Sequence, residues 1–238
     1  LPSSCERAIL EQFLKAEAMA LWAVRSAQAQ DVPPAVLQPV LDRPGFGEPR
    51  DYEVTVLFSD ISGFTSMSST MKSRDVVSFL NRYFPPMAEI VFRHEGTLEK
   101  YIGDALMAIW GAPVAHHDDA DRALMAAVEM TETIERLNAE RSAEGAAPLA
   151  VHIGLNSGPV TFGNIGSAEY VQFAAIGHTT NVASRVCSVA QSGEVVISAA
   201  TRARLRGDEW VFEPLPPALV KGEHEPLELY RVRRSPAL

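Results

Sequence analysis

The sequence predicts an α+β fold, a sandwich of the ferredoxin-like type in which helices pack against a sheet. Two observations lead to this prediction. Segments typical of strands and helices follow one another in the order β-α-β-β-α-β, and the helices are kept apart in the chain rather than alternating with every strand. The length of 238 residues suffices for one full core and an appendage.

The first 30 residues are expected to form a separate helical element. Residues 6–29 carry apolar side chains at helical spacing, namely Leu10, Phe13, Leu14, Leu21 and Val24. Such a helix either packs on its own domain or acts as a dimerising or signal-coupling helix that enters from an upstream sensor. No sustained heptad repeat decides between the two.

Residues 31–51 are predicted to be a linker because prolines and glycines are concentrated there. A proline-rich linker is stiff and can transmit orientation between the parts that it joins. Because the chain starts at Leu1 rather than at a methionine, we expect a longer protein with an upstream regulatory domain.

The globular part begins with a predicted buried strand over 53–59, an apolar run that leads into Asp60 and turns at Gly63. A helical pattern follows over 73–84. Pro85-Pro86 is expected to break this helix, with a second helix continuing to residue 93, because proline has no backbone N–H to donate.

Two apolar runs, 97–102 and 105–110, flank the dipeptide Gly103-Asp104 and predict a hairpin. A strong amphipathic helix follows over 118–141, with acidic residues at its N-terminus, where they favour the helix dipole. The remaining predicted elements are strands at 149–156, 159–163 and 170–176, a helix at 179–190, a strand at 194–198 and a closing hairpin near 209–213 and 226–232.

Composition argues against several classes of protein. The net charge of −9 argues against a nucleic-acid-binding surface, because phosphate contacts need clustered lysine and arginine. No apolar run approaches the roughly 18 residues of a membrane span. Only Cys5 and Cys187 occur, far apart in the chain, so a disulfide framework is not expected. We expect a cytoplasmic location, either for the protein itself or for this part of a larger, membrane-attached protein.

Asp60 and Asp104 are the candidate metal ligands. The first lies at the end of a predicted strand and the second at the tip of a predicted hairpin, so neighbouring strand ends can bring the two carboxylates together. With the backbone carbonyl of Ile61 as a third ligand, this set suits two hard divalent cations, Mg²⁺ or Mn²⁺. The alternative is a pair of ordinary turn aspartates.

Six segments of the chain resemble the catalytic domain of the class III nucleotidyl cyclases, the adenylyl and guanylyl cyclases. They are 54–65 around Asp60, 97–111 around Asp104, 154–158, 162–167, 180–186 and 220–222. Any single segment is a weak signal, whereas six in the same order from about Tyr52 to Val232 are a strong one. The resemblance implies a catalytic domain over 52–234 with the α+β core predicted above.

The resemblance also implies roles for individual residues. Asn181 would orient the ribose, and Arg185 would stabilise charge that develops at the α-phosphate. Lys221, in the turn Val220-Lys221-Gly222, would contact the β- and γ-phosphates, although a lysine there is also an ordinary turn residue. Phe64 and Thr65 follow Gly63 at a helix start, where free N–H groups suit a phosphate or simply receive an ordinary cap.

Lys100 lies where adenylyl cyclases commonly carry lysine and guanylyl cyclases tend to carry glutamate, which favours adenine as the base. Ala174 departs from the pattern, since its methyl group replaces a side chain that accepts from the adenine amino group. His152, His178 and Glu223 also replace residues that are more usual in the family. His152 stands where the family often has an arginine, and a strand histidine with a satisfied ring is the alternative interpretation.

The expected function is therefore an adenylate cyclase that makes 3′,5′-cyclic AMP and pyrophosphate from ATP. In the family one subunit supplies the metal ligands and the other supplies the base-reading and transition-state residues, which implies a head-to-tail homodimer with two shared sites. A guanylate or dual-specificity cyclase is the nearest alternative because of Ala174. A catalytically silent dimerising module that binds nucleotide is the alternative from another class.

Overall fold

One eight-stranded sheet carries the helices of this protein. The computed structural model describes residues 48–143, 145–166, 171–219 and 225–234. The predicted helix at 6–29 and the linker up to residue 47 lie outside the described residues. In chain order the elements are β1 (Arg50–Ile61), α1 (Phe64–Ser69), α2 (Ser73–Arg93), β2 (Thr97–Ile102), β3 (Ala105–Trp110), α3 (Asp119–Ala143), β4 (Val151–Gly166), β5 (Val171–Ile176), α4 (His178–Val189), β6 (Val195–Ser198), α5 (Ala199–Arg202), β7 (Trp210–Pro214) and β8 (Leu229–Arg234).

The predicted α+β class is confirmed. The strand order is β2-β3-β1-β4-β6-β8-β7, and β5 pairs with β4 outside this path. All pairings between these strands are antiparallel except that of β4 with β6. A mostly antiparallel sheet with separately placed helices is typical of α+β proteins. Within the described part of the chain, no helix is both long and apolar enough to cross a membrane.

Strand β1 lies inside the sheet, between β3 and β4, and its residues Val54 to Ser59 are buried. Side chains alternate between the two faces of a strand. Leu57 and Ile61 accordingly belong to a core shared with α2 and α3, whereas Val56 and Phe58 belong to a core that includes Ala183 and Cys187 of α4. Asp60 follows Phe58 in this alternation, which places it on the side of α4 at the end of the strand.

Helix α2 contradicts the predicted break at Pro85-Pro86, because it runs from Ser73 to Arg93 with both prolines inside. Proline removes a helical hydrogen bond, but burial of a continuous apolar face can outweigh that loss. The buried residues of this helix lie on both sides of the Pro pair, at Tyr83, Met87, Ala88, Ile90 and Val91. Tertiary packing therefore carries the helix past the prolines.

Strand β4 was predicted as two strands, 149–156 and 159–163, but is one strand of 16 residues. It pairs with β1 through all of β1, with β6 at Ile153–Leu155 and with β5 at Thr161–Gly166. Pro159 lies between the stretches that pair with β5 and β6, where a missing N–H is tolerated. The other predicted elements are present, with boundaries shifted by at most three residues.

Candidate active site

Asp60 and Asp104 come together because β1 and β3 are neighbours. Their last paired residues at this end are Ser59 and Leu106. Asp60 is the next residue along β1, and Asp104 lies in the tight turn between β2 and β3, directly after Gly103 with its positive φ of 65°. The two carboxylates are close enough for Asp60 to raise the pKa of Asp104. The structure therefore places the two predicted metal ligands side by side.

This juxtaposition is unfavourable for two negative charges. The pKa of Asp104 is raised to about 6, first by burial and then by the neighbouring Asp60 carboxylate. The backbone N–H groups of Asp104 and Ile61 act in the opposite direction and lower it. Ile61 thus lies next to the Asp104 carboxylate, and its carbonyl stays a predicted third ligand. At neutral pH the pair is an acceptor-rich site that a cation would stabilise.

The donor atoms suit a magnesium-type ion. Both side-chain donors are carboxylate oxygens, and among the described residues no group of three or more His, Cys, Asp or Glu side chains forms a metal-binding cluster. Mg²⁺ is commonly held by one or two carboxylates, with water and substrate phosphates completing its shell. The residues at this site fit such an ion, because both side-chain donors are hard oxygen ligands.

His152 lies opposite Asp60 in the pairing of β1 with β4. Its Nδ1 atom is 3.1 Å from the hydroxyl oxygen of Ser62. Burial lowers the pKa of His152, while the Asp104 carboxylate raises it. The ring therefore has a hydrogen-bonding partner within its own chain, as expected for a satisfied strand histidine.

Phe64 and Thr65 open α1, whose N-cap residue Gly63 has a φ of 74° and no side chain to cap the helix. Phe64 is half-buried, and its ring centroid lies 6.2 Å from that of Phe79. Thr65 is exposed. The first-turn N–H groups thus receive no side-chain cap, and Phe64 fixes the short helix to the core.

Asn181 and Arg185 lie one turn apart on α4, and both are exposed. In the described part of the chain, no hydrogen bond or ion pair joins either side chain to Asp60 or Asp104. His178, the first residue of α4, is also exposed. Within the described part of one chain, Asn181 and Arg185 therefore make no direct bond to the two candidate metal ligands.

Lys100 lies on β2, four residues before Asp104, and Ala174 lies on β5, in a region where β2 approaches β5. Lys100 Nζ is 3.1 Å from Glu99 Oε1, and the same oxygen accepts a hydrogen bond of 3.4 Å from the backbone N–H of Ala175. Ala174 is buried, with 6% of its surface exposed. The structure thus brings Lys100 and the neighbourhood of Ala174 together through Glu99.

Glu99 is the residue that the sequence pattern did not indicate. Alternation along β2 would direct Glu99 and Lys100 to opposite faces. The pairing of β2 with β3 shifts register between Leu98 and Lys100, and this bulge allows the two charged heads to meet. A glutamate in an otherwise apolar run was the only visible signal. Lys221 and Glu223 lie outside the described residues.

Comparison with known proteins identifies the family of this chain. The sequence model of the family described as "Adenylate and Guanylate cyclase catalytic domain" matches residues 48–233. Adenylate cyclase 1 of Rhizobium meliloti (strain 1021) is 34% identical over 188 residues, which are 76% of this chain and 27% of that protein. The chain therefore corresponds to only part of this relative.

Solved structures of both nucleotide specificities are similar to this chain. The adenylyl cyclase CyaB from P. aeruginosa has a TM-score of 0.76 at 31% identity, covering 79% of this chain and 97% of that chain. The guanylate cyclase domain of RhGC from Catenaria anguillulae in complex with GTP has a TM-score of 0.71 at 34% identity, covering 79% of this chain and 100% of that chain. The resemblance seen in the six sequence segments is confirmed: this chain belongs to the family of adenylate and guanylate cyclase catalytic domains, the class III nucleotidyl cyclases.

Proposed function

We propose that this chain is an adenylate cyclase, which converts ATP to 3′,5′-cyclic AMP and pyrophosphate. The adjacent carboxylates of Asp60 and Asp104 carry the proposal. They would form a site for cations at the end of a strand whose central residues, Val54 to Ser59, are buried, and these cations would neutralise a triphosphate. Precise placement of ligands on rigid elements is what phosphoryl-transfer chemistry needs.

Asp60, Asp104 and the backbone carbonyl of Ile61 would hold two divalent metal ions, Mg²⁺ or Mn²⁺. When bound, such ions lower the pKa of a ribose hydroxyl and neutralise phosphate charge. The uncapped N–H groups at Phe64 and Thr65 follow directly in the chain and would bind phosphate oxygens. Lys221 would add a positive charge toward the β- and γ-phosphates.

Asn181 and Arg185 would act on the ribose and on the α-phosphate. The exposed Asn181 amide would orient the ribose so that its 3′-oxygen is in line with the α-phosphorus. The 3′-oxygen bonds to phosphorus as the bond to the leaving pyrophosphate breaks, and Arg185 would grip the oxygens whose charge increases. Because these residues make no direct bond to Asp60 or Asp104 within the described part of one chain, a head-to-tail homodimer would complete two equivalent sites.

Lys100 would select adenine by donating a hydrogen bond to a ring nitrogen. A guanylate or dual-specificity cyclase is the second candidate, since the buried methyl group of Ala174 offers no acceptor to an amino group. ATP is a cytoplasmic substrate, so the enzyme would work in the cytoplasm. An upstream regulatory domain would control it.

The test is cyclic nucleotide production by the purified protein, with ATP and GTP offered separately in Mg²⁺ and then in Mn²⁺. Cyclic AMP from ATP alone is the expected result, and Asp104→Asn is the inactive control. Comparable turnover of GTP would replace the proposal with a dual-specificity enzyme. Nucleotide binding without any product from a dimeric preparation would point to the silent module.

A further inference from the structure

Glu99 is a buried carboxylate whose hydrogen bonding is half complete. Only 2% of its side chain is exposed. Its Oε1 atom receives two donors, the Lys100 ammonium at 3.1 Å and the backbone N–H of Ala175 at 3.4 Å. Its Oε2 atom is buried and has no hydrogen-bond partner among the described residues. Burial raises the pKa of Glu99, and Lys100 opposes that rise.

An unpaired buried carboxylate oxygen is costly, because the group has lost water without gaining a donor. Native proteins rarely leave such an atom without a function or a ligand. Regular alternation along β2 would direct the Glu99 side chain to the face opposite Lys100. The bulge between Leu98 and Lys100 instead allows it to reach this buried position. Bulges of this kind re-aim side chains near active sites.

The unpaired oxygen of Glu99 lies near Ala174, a residue whose side chain has no hydrogen-bond acceptor. Glu99 is bonded to the N–H of Ala175, next in the chain to Ala174, whose methyl group offers no hydrogen bond. Lys100 supplies a donor beside the free acceptor. The Oε2 acceptor of Glu99 and the ammonium donor of Lys100 therefore complement a ligand that presents one donor next to one acceptor.

We propose, building on the function proposed above, that Glu99 is a specificity-determining residue that accepts a hydrogen bond from the exocyclic amino group of adenine. Lys100 donates to the neighbouring ring nitrogen, so the two residues read the edge of the base together. Lys100 is the more exposed member of the pair, with 33% of its side chain accessible, and its ammonium has three N–H groups, so it can donate to the base while it keeps its bond to Oε1.

Guanine fits this arrangement less well. Its corresponding edge presents one acceptor and two donors. The ring nitrogen of guanine at this edge carries a hydrogen and donates, and Lys100 can only donate, so two donors would face each other. A donor of guanine is therefore left without an acceptor, and an unpaired polar group at a buried site disfavours the wrong ligand.

Substitution of Glu99 by glutamine tests this directly. The two donors at the Oε1 position require an acceptor there, so the amide oxygen of the glutamine is held in that place. Its NH₂ group must then replace Oε2. Glu99→Gln thus keeps the size of the side chain and its contact with Ala175 but turns the free acceptor into a donor, which repels the amino group of adenine.

The experiment measures the ratio of kcat/KM for ATP to that for GTP, and the ratio of dissociation constants for 3′-deoxy-ATP and 3′-deoxy-GTP with Mn²⁺. The deoxy nucleotides lack the attacking hydroxyl, so they report binding whether or not the chain turns over. In Glu99→Gln we expect both ratios to shift against adenine by about tenfold or more. The control is Glu129→Gln. In the wild type the Glu129 carboxylate binds His94 and Arg93 between α2 and α3.

The outcomes separate the inference from the function on which it rests. A shifted binding ratio without turnover in any variant would support Glu99 and refute the cyclase activity. Turnover by wild type with both ratios unmoved in Glu99→Gln would refute the role of Glu99 and leave the activity standing. Absence of both binding and turnover in the folded wild-type dimer would overturn both.

Discussion

Gly154 of β4 faces the backbone of Cys187 in α4 so closely that a side-chain carbon on Gly154 would overlap it. The same contact continues along the chain at Val186. The thiol of Cys187 also donates a hydrogen bond of 3.4 Å to the carbonyl of His152. Helix α4, which carries Asn181 and Arg185, is therefore seated directly on the strand that lies beside Asp60.

We expect Gly154→Ala to lower the free energy of unfolding by about 1–3 kcal/mol, because an added methyl group must push α4 away from β4. Activity should fall further than stability, since the helix carries two site residues. Denaturant unfolding and turnover at a temperature well below the transition measure the two effects. Gly207→Ala is the control, because its new methyl group would meet only the flexible end of Glu209. Equal stability of the Gly154 variant and wild type would contradict the contact.

We expect Asp104→Asn to lower turnover by roughly 100-fold or more. We also expect it to raise the free energy of unfolding of the metal-free chain. The pKa of Asp104 is about 6 in the folded chain and ordinarily about 3.9 when unfolded. The charged carboxylate is therefore penalised on folding above pH 6, and the neutral asparagine removes that penalty. The gain in the free energy of unfolding should be fully present above pH 6. It should be lost below about pH 4, where Asp104 of the wild type is protonated in both the folded and the unfolded state.

Thermal unfolding in EDTA at several pH values measures this gain. Asp51→Asn is a matched control, because Asp51 lies on the same strand but is exposed and accepts a hydrogen bond of 2.8 Å from Thr161. Full turnover in Asp104→Asn would refute the assignment of the metal ligands. An unchanged transition temperature at pH 7.5 would refute the electrostatic account of the pair.

We expect Mn²⁺ binding to weaken as the pH falls through 6. Metal ligands must be deprotonated, and Asp104 takes up its proton at about pH 6 in the metal-free chain. The dissociation constant should be nearly constant above pH 7 and should rise by about tenfold per unit well below pH 6. Titration followed by the electron paramagnetic resonance signal of free Mn²⁺ measures it. A flat profile between pH 5 and 7.5 would argue against Asp104 as a ligand.

We expect inactive Asp104→Asn and inactive Arg185→Ala chains to recover activity when they are mixed and allowed to exchange subunits. Each mixed dimer would contain one site with both residues intact and one site lacking both. At equal amounts half of the dimers are mixed, so about a quarter of wild-type activity should return. Arg185 is exposed, so its loss should leave the melting temperature unchanged. No recovery despite proven exchange would refute sites shared between subunits.

The sequence was sufficient for the fold class and for the neighbourhood of Asp60 and Asp104. An apolar run that ends in an aspartate, and a Gly-Asp turn between two strands, are local patterns that survive in the structure, where the central part of β1 and all of β3 are buried. Pro85 and Pro86 were misleading, because local propensity indicates a break while the buried face of α2 extends across it.

The contact of Glu99 with Lys100 and Ala175 could not be predicted in the same way. The role of Glu99 depends on a register shift against β3 and on an N–H from β5, more than seventy residues away in the chain. Neither is encoded in the alternation of side chains along β2. Lys100 was identified only because the family places a lysine there, and its partner emerged from the tertiary structure.

Strand β4 runs without a break from the residue opposite Asp60 to the residue opposite Ala174. His152, opposite Asp60, and Gly163, opposite Ala174, are eleven residues apart on it, a span of roughly 36 Å of extended backbone. Because neighbouring strands hydrogen-bond along it, this length does not change easily. In the proposed dimer the two reaction centres would therefore be kept at a fixed spacing by each subunit. A regulator that rotated one subunit against the other would open or close both centres at once, so cyclic nucleotide output would be switched as a pair.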